Sequence, residues 1–433
     1  MIALGELSLW IALLMAMWGA ALSAAGGVLA REDLVTSAER GLFAATGFTA
    51  LSAAGLWWAL VSHDFVLRYV ATYTSERVPL AYRFSAMWAG RAGSLLLWTL
   101  VFALCTAVAL RGIRRIAWVP RSKIGVLLGS VLACSLAFAA LAFNAFAELS
   151  VVPANGRGLD PELQDLARVL DAPLLALGCA AAVVWLALAL PVARKRGFTA
   201  ARPLAAGAWP LVAFGALAAS IGLRLFWTYT HRGTVPSIAA LSQAPPGTGF
   251  AALLALVMAG IAFAAGPRRR FAVYLATAGT VMLVAAAVAN RYGKSYDGAL
   301  RDGETMQATD AWGVQWMFTS QGASRIERPS YLLTSVALLP TQAGVRRRFI
   351  TPELREFYDD LDRQRVVPDI EPGIRRSIAQ DVYVAVPEVG DGSVVLRIRF
   401  NPLVSLAWIG GALLTVGVIA ASFPPSPHRT VRA

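Results

Sequence analysis

The sequence predicts an all-α polytopic membrane bundle of about nine transmembrane helices, with a small extracytoplasmic β-rich domain before the last helix. Three observations lead there. The 433 residues are 57% hydrophobic and only 15% charged, with a mean hydropathy of +0.59, far outside the balance of a soluble globular domain. The apolar residues collect in runs of about 18 to 25, the length that crosses a bilayer. Arginine and lysine collect in every second connection, and one long hydrophilic region, residues 290–400, interrupts the pattern.

Taken in order, the first run covers residues 7–30. It has no basic residues before it and no small-residue cleavage site, so it reads as a retained span and not a leader. The second run is 42–61, with REDLVTSAER as the loop between them. The polar stretch 62–92 carries His63, Asp64, Arg68, Glu76, Arg77 and Arg83 among aromatics and leads into a third span at 93–110. Spans at 124–146 and 172–193 flank ELSVVPANGRGLDPELQDLARVLD, whose Pro, Asn and Gly mark a loop. Runs at 204–229, 250–265 and 271–289 complete the eight spans before the hydrophilic region. Within that region GVQWMFTS, YLLTSVALL, DVYVAV and VVLRIRF alternate apolar and polar residues between Gly, Pro and Asp turns, which is strand chemistry. TPELREFYDDLDRQR is charged and reads as a solvated helix or an exposed strand and loop. The last span, 403–421, precedes a tail, SFPPSPHRTVRA. The chain thus divides into a helical domain at 1–290, a β-rich domain at 291–400, and a closing helix with its tail at 401–433.

The net charge of +13 is explained by orientation. Arg111, Arg114, Arg115, Arg121 and Lys123, then Arg194 to Arg196 through Lys195, then Arg268 to Arg270, fall in alternate connections. Such loops stay on the cytoplasmic side. This places the N-terminus outside and the C-terminus in the cytoplasm, puts the β-rich region on the outer face, and leaves no basic excess that calls for nucleic acid. Cys105, Cys134 and Cys179 lie in apolar runs without CxxC spacing, and read as buried thiols.

The stretch Phe84 to Trp98, FSAMWAGRAGSLLLW, is the most distinctive. Trp88 and Trp98 suit the headgroup level, and Gly90 and Gly93 allow close backbone approach. His63 and His231 are weak metal-ligand candidates, expected on one face of the membrane but in no motif, so no metal is assigned. No carboxylate falls inside the expected spans, and Arg224 sits near enough to Tyr229 to snorkel outward. A transporter therefore lacks a polar path. No GxSxG, HExxH or phosphate-loop pattern occurs in the sequence either, so no catalytic constellation is visible.

The segment DFVLRYVATYTSERVPLAYRFSAMWAGRAGSLLLW resembles the N-terminal signature of the CcmF family, the membrane haem-lyase subunit of cytochrome c maturation. The match is carried by Asp64, Phe65, Tyr69, Val70, Pro79, Tyr82, Trp88, Gly93, Ser94, Leu95, Leu97 and Trp98. NGRGLDPELQDLARVLDAPLLALG is similar to that family's NPLLQDP loop and the helix after it, through Leu159, Pro161, Leu163, Gln164, Asp165, Pro173, Leu174 and Leu175. FNPLVSLAWIGGALLTVGVIAA resembles its closing helix, with Asn401, Pro402, Leu403, Val404, Trp408, Gly410 and Gly411 in place, and RRSIAQDVYVAV matches the strand before it. The resemblance implies a bacterial inner-membrane protein that handles haem b, or delivers haem to apocytochrome c, at the outer face beside other maturation proteins. Trp88 and Trp98 would then contact the ring, and Arg83, Arg91 and Arg232 the propionates.

The departures from the family pattern are specific. The tryptophan-rich WWD motif is missing. The family's first flanking histidine falls at Asp171, the second at Ala239, one ligand of its transmembrane haem at Thr277, and its His-Glu pair at Arg91 and Ala92. A family member shortened by an even number of spans keeps the downstream orientation. The alternative reading is a haem-free structural or partner subunit that kept the fold and lost the ligands; a small-molecule transporter ranks below both. Any enzymatic part would be that of a haem-lyase subunit.

Overall fold

The structure is a computed structural model, and it describes residues 2–114, 116, 120–196, 208–233, 248–265, 270–328, 331–358, 366–390 and 392–422. Its helices, in chain order, are α1 (Ile2–Val28), α2 (Glu32–Val61), the short α3 (Arg68–Tyr73) and α4 (Leu80–Ser85), then α5 (Arg91–Ile113), α6 (Arg121–Ala137), α7 (Leu166–Arg196), α8 (Ala208–Arg232), α9 (Thr248–Ala265), α10 (Arg270–Ala289) and α11 (Val404–Ser422). Among the described residues, eight helices are long and apolar enough to cross a membrane. The seventh expected run is helical as well, in α9. Two boundaries differ usefully from expectation. REDLVTSAER is mostly the start of α2, because Glu32 and Asp33 in its first turn suit a helix N-terminus. Helix α7 begins before its apolar run and so carries Asp171 inside it.

The chain divides into two compact units. The first comprises Met1–Ile221, Phe250–Arg268 and Ile419–Ala433. Here α1 packs on α2 and α6, and α5 on α2 and α7. In lipid, helices gain little from hiding apolar surface, so close contact between small residues must hold them. The seams show this. A Cβ on Gly19 would stand 2.7 Å from Leu42, and one on Gly129 3.1 Å from Ala20. Leu9, Leu42, Leu56, Leu96 and Leu110 fill the interior, while Leu4, Leu7, Leu14, Met17 and Trp18 face outward from α1, as lipid-facing residues do.

Helix α6 ends in a π turn, Phe138–Ala142, closed by Phe143 N–H donating to the Phe138 carbonyl at 3.0 Å. The connection after it laces onto the segment around α3: Arg68 donates to Ala147 at 2.9 Å, Leu149 to Val66 at 2.9 Å, and Arg157 to Ala71 at 2.8 Å. Two loops that carry separate family-like motifs therefore form one surface.

The second unit comprises Gly222–Gly249 and Arg269–Val418. Among the described residues, ten strands lie between Lys294 and Pro402: β1 (Lys294–Arg301), β2 (Thr305–Thr309), β3 (Gln315–Glu327), β4 (Tyr331–Gln342), β5 (Val345–Arg346), β6 (Glu353–Tyr358), β7 (Val366–Glu371), β8 (Gly373–Arg375), β9 (Gln380–Gly390) and β10 (Ser393–Pro402). One sheet runs β1-β10-β9-β8 and the other β2-β3-β4-β6-β7, with β5 on β4; every pairing is antiparallel. The alternation is clearest in β10, which buries Val394, Leu396, Ile398 and Phe400. They meet Trp316, Phe318, Val336 and Leu338 in one core. With so many strands, the helical bundle is only part of the fold. The charged TPELREFYDDLDRQR contributes β6 to the sheet, pairing with β4 and β7, and its residues 359–365 lie outside the described residues.

A buried aspartate organises one corner of this core. Asp310 is 0% exposed and accepts from Trp312 N at 2.9 Å, Val314 N at 2.9 Å, Trp316 Nε1 at 3.0 Å and Gln380 Nε2 at 2.6 Å. Burial alone would raise its pKa, but these donors hold the carboxylate below its usual range. In the same unit α10 and α11 cross through glycines. A Cβ on Gly279 would stand 2.5 Å from the Gly410 carbonyl, and one on Gly417 2.6 Å from Ala276 N.

Candidate functional site

Three places in the structure hold polar groups in arrangements that exceed ordinary packing. The first is the distinctive stretch with α3 and α4. Tyr69 is buried, and its hydroxyl lies 2.9 Å from the Met87 carbonyl and accepts from Gly90 N at 2.9 Å. Burial pushes its pKa above the usual phenol range. Gly93 sits against the Met87 carbonyl and the Tyr69 hydroxyl, and Gly90 against the Tyr73 ring, so neither position has room for a Cβ. Ser94 Oγ donates to the Trp88 carbonyl at 2.9 Å. The glycines thus serve close backbone approach within the chain.

Of the side chains singled out in and beside this stretch, Arg83 is committed inward. Arg83 Nε donates to the Val78 carbonyl at 2.8 Å, Nη1 to Val61 at 3.4 Å and Nη2 to Glu76 at 3.4 Å. Trp88 and Trp98 are half-buried, and Arg91 is exposed at the start of α5. Trp88 Nε1 is buried without a hydrogen-bond partner among the described residues. His63 Nε2 lies 3.1 Å from the Ser75 carbonyl and therefore donates to it. Burial, and then the positive charge of Arg83, lowers its pKa and favours the neutral ring.

The second place is built from charges inside the helices. Asp171 is 1% exposed, takes Arg168 Nη1 at 2.8 Å and accepts from Ser220 Oγ at 2.7 Å. Glu39, 3% exposed, takes Arg114 Nε at 2.8 Å and Arg121 Nε at 3.1 Å. Both lie just outside the apolar runs expected to span, 42–61 and 172–193, but inside the helices as they form. Arg224 on α8 is likewise buried, 5% exposed. These groups escaped sequence reading because their partners lie on other helices, or because the helix began earlier than its apolar run. A lone buried charge is costly in a low-dielectric interior, so removing either partner of such a pair is strongly destabilising.

The third place is the end of α8 against the β strands of the second unit. Tyr229 Oη donates to Asp381 Oδ2 at 2.9 Å, and both residues are buried. Ser377 N donates to Asp381 Oδ1 at 3.1 Å. Burial raises the Asp381 pKa in spite of these bonds. Tyr383 Oη donates to the His231 carbonyl at 3.2 Å, with its own pKa pushed up to about 12 by burial. Arg399 Nη1 donates to the Arg232 carbonyl at 3.0 Å. Gly233 ends the helix at φ +64, the left-handed conformation of a helix C-terminus. Arg232 is exposed, its guanidinium 5.5 Å over the Trp227 ring. His231 and Arg232 thus lie in the second unit, whereas His63, Arg83, Trp88, Arg91 and Trp98 lie in the first.

The β strands also form a groove of about 550 Å³ lined by Arg346, Arg347, Arg348, Phe349, Ile350 and Arg375, among others. The Arg375 guanidinium lies 5.6 Å over the Trp316 ring, and burial together with the charge of Arg347 lowers its pKa. Its Nη1 and Arg347 Nε are buried without hydrogen-bond partners among the described residues. Such a groove suits carboxylates. The run RRR was visible in the sequence, but its convergence with Arg375 depends on how β8 is placed.

Of the positions that the resemblance aligns with family histidines, Asp171 is held in its ion pair, Thr277 is exposed on α10, and Ala239 lies outside the described residues. Neither described position offers an imidazole or an equivalent ligand to haem iron.

No protein-family model matches the chain. It is 29% identical over 231 residues to the cytochrome c-type biogenesis protein CcmF of Pseudomonas aeruginosa, an alignment covering 53% of this chain and 35% of that protein. Against CcmF of Escherichia coli K12 the identity is 31% over 235 residues, covering 52% and 35%. Against the cytochrome c-type biogenesis protein ccl1 of Rhodobacter capsulatus it is 27% over 229 residues, covering 53% and 35%. The matched part spans about a third of the length of these relatives. A solved structure of the cytochrome c haem lyase CcmF matches with a TM-score of 0.71 at 16% identity, covering 98% of this chain and 98% of that one. That match shows a shared fold.

Proposed function

We propose, from the premise that this chain is a CcmF-type cytochrome c biogenesis protein, that it works at the outer face of a bacterial inner membrane, where it engages apocytochrome c or the proteins that deliver haem. The observation that carries this reading is the coincidence of sequence kinship to biogenesis proteins with a fold match over nearly the whole chain. The β-rich region and the joined loops around α3 are the surfaces we assign to partners, because the basic connections lie on the opposite side of the expected topology. Carboxylates of a partner would meet the arginine groove.

Within this function, two roles separate. In one, haem itself is held, by ring contact at Trp88 and Trp98 and by propionate pairing at Arg83, Arg91 and Arg232. In the other, the chain is a haem-free subunit that keeps the fold and partner surfaces. Two observations favour the second: Asp171 is bound to Arg168 and Ser220, and Arg83 already serves three backbone carbonyls. Purification from cells supplied with haem separates the two. A Soret band that survives detergent exchange establishes the first role, and its absence with capture of apocytochrome c establishes the second. Neither band nor capture would remove both.

A further inference from the structure

The last turn of α8 and the edge strand β7 bring together three side chains that the proposed function does not use. His231 has a side chain 9% exposed, and its ring stacks on Trp227 at 4.7 Å. Its Nδ1 lies 3.1 Å from the Trp227 carbonyl oxygen, and Thr230 Oγ1 is 3.1 Å away. A carbonyl only accepts, so Nδ1 carries the proton and a neutral ring presents its lone pair on Nε2. That nitrogen faces Asp369 Oδ1 at 3.9 Å, too far for a hydrogen bond. Glu371 lies two residues along the strand, on the same face by the strand period. The ligand atoms of His231, Asp369 and Glu371 all lie within 4.8 Å of one another.

We propose that His231 Nε2, Asp369 and Glu371 form a binding site for a divalent metal ion of the zinc class. One imidazole and two carboxylates are ligands such ions accept, with a water completing the shell. Two features go beyond a chance acidic cluster. The histidine is held by a second hydrogen bond at the far side of its ring, the arrangement that fixes metal-ligating imidazoles. Arg355 Nη1 donates to Glu371 Oε1 at 2.9 Å and orients that carboxylate. The backbone is fixed on both sides of the ring, through Tyr383 to the His231 carbonyl and Arg399 to the Arg232 carbonyl. A tetrahedral ion with donors at about 2.1 Å spaces them roughly 3.4 Å apart, so small side-chain rotations complete the site. The ion ties the end of α8 to β7.

The test uses the full chain in detergent, stripped with a chelator, equilibrated with Zn²⁺, desalted and analysed for metal. The expected result is a single ion per chain, lost in the Asp369→Asn and Glu371→Gln double variant and retained in His63→Gln. Equal zinc in wild type and double variant, or none in wild type, overturns the proposal. Should the double variant fail to fold, Co²⁺ added to the stripped wild type decides: a visible ligand-field band supports the site, and its absence means that His231 is only the ion-pair partner of Asp369.

Discussion

Glycine 93 shows how a single position couples local geometry to the site around it. Its hydrogen faces the Met87 carbonyl and the Tyr69 hydroxyl, so Gly93→Ala must push apart the turn that Tyr69 holds. Overpacking of this kind costs about 1–3 kcal/mol, and a thermal melt of the detergent-solubilised protein should fall accordingly. Asp310 couples the stability of the β-rich region to pH. Its folded pKa lies below the ordinary value of 3.8, so its contribution is present above that value and is lost as pH falls through the folded one. The fluorescence of the β-rich region should therefore show an acid-unfolding slope below about pH 4 that Asp310→Asn removes. At neutral pH the same variant should be destabilised by roughly 1–3 kcal/mol, since it turns an acceptor of four hydrogen bonds into a mixed donor and acceptor. An unchanged acid profile would count against this role.

At the scale of elements, the helix pair α10 and α11 rests on glycine contacts. Gly279→Leu forces a side chain into the Gly410 backbone, and yield and thermal stability should both drop, whereas Gly260→Leu on α9, with open space around it, should be tolerated. The tie between α8 and β9 is also testable. Tyr229→Phe removes the donor to buried Asp381 and should cost about 1–3 kcal/mol. What the sequence disclosed divides along the same lines. Long apolar runs and strict alternation made the long helices and strands such as β10 legible, because each rests on a local period. The paired charges were not legible. Glu39 meets Arg114 just past α5 and Arg121 on α6, and Asp171 meets Ser220 from α8, and no local pattern encodes such encounters. His231, Asp369 and Glu371 converge only once the strands are placed. The stretch from Phe84 to Trp98 was conspicuous from its residues alone, but only the structure showed the preceding Arg83 turned inward.

For the whole molecule, the proposed orientation predicts which surfaces reagents reach. In intact spheroplasts, cysteines at the exposed positions Val151 and Ser295 should label with a membrane-impermeant maleimide, and one at Lys123 should not. The reverse pattern would invert the topology and remove the β-rich region from the outer face. The proposed role in cytochrome c biogenesis is itself open to direct test. The most direct measurement is the covalently attached haem of c-type cytochromes in cells carrying a deletion of this chain, read by haem staining of denaturing gels. At least one c-type cytochrome should lose its covalent haem and regain it when the wild-type chain is restored. A full and unchanged set of haem-stained cytochromes in the deletion strain would contradict it.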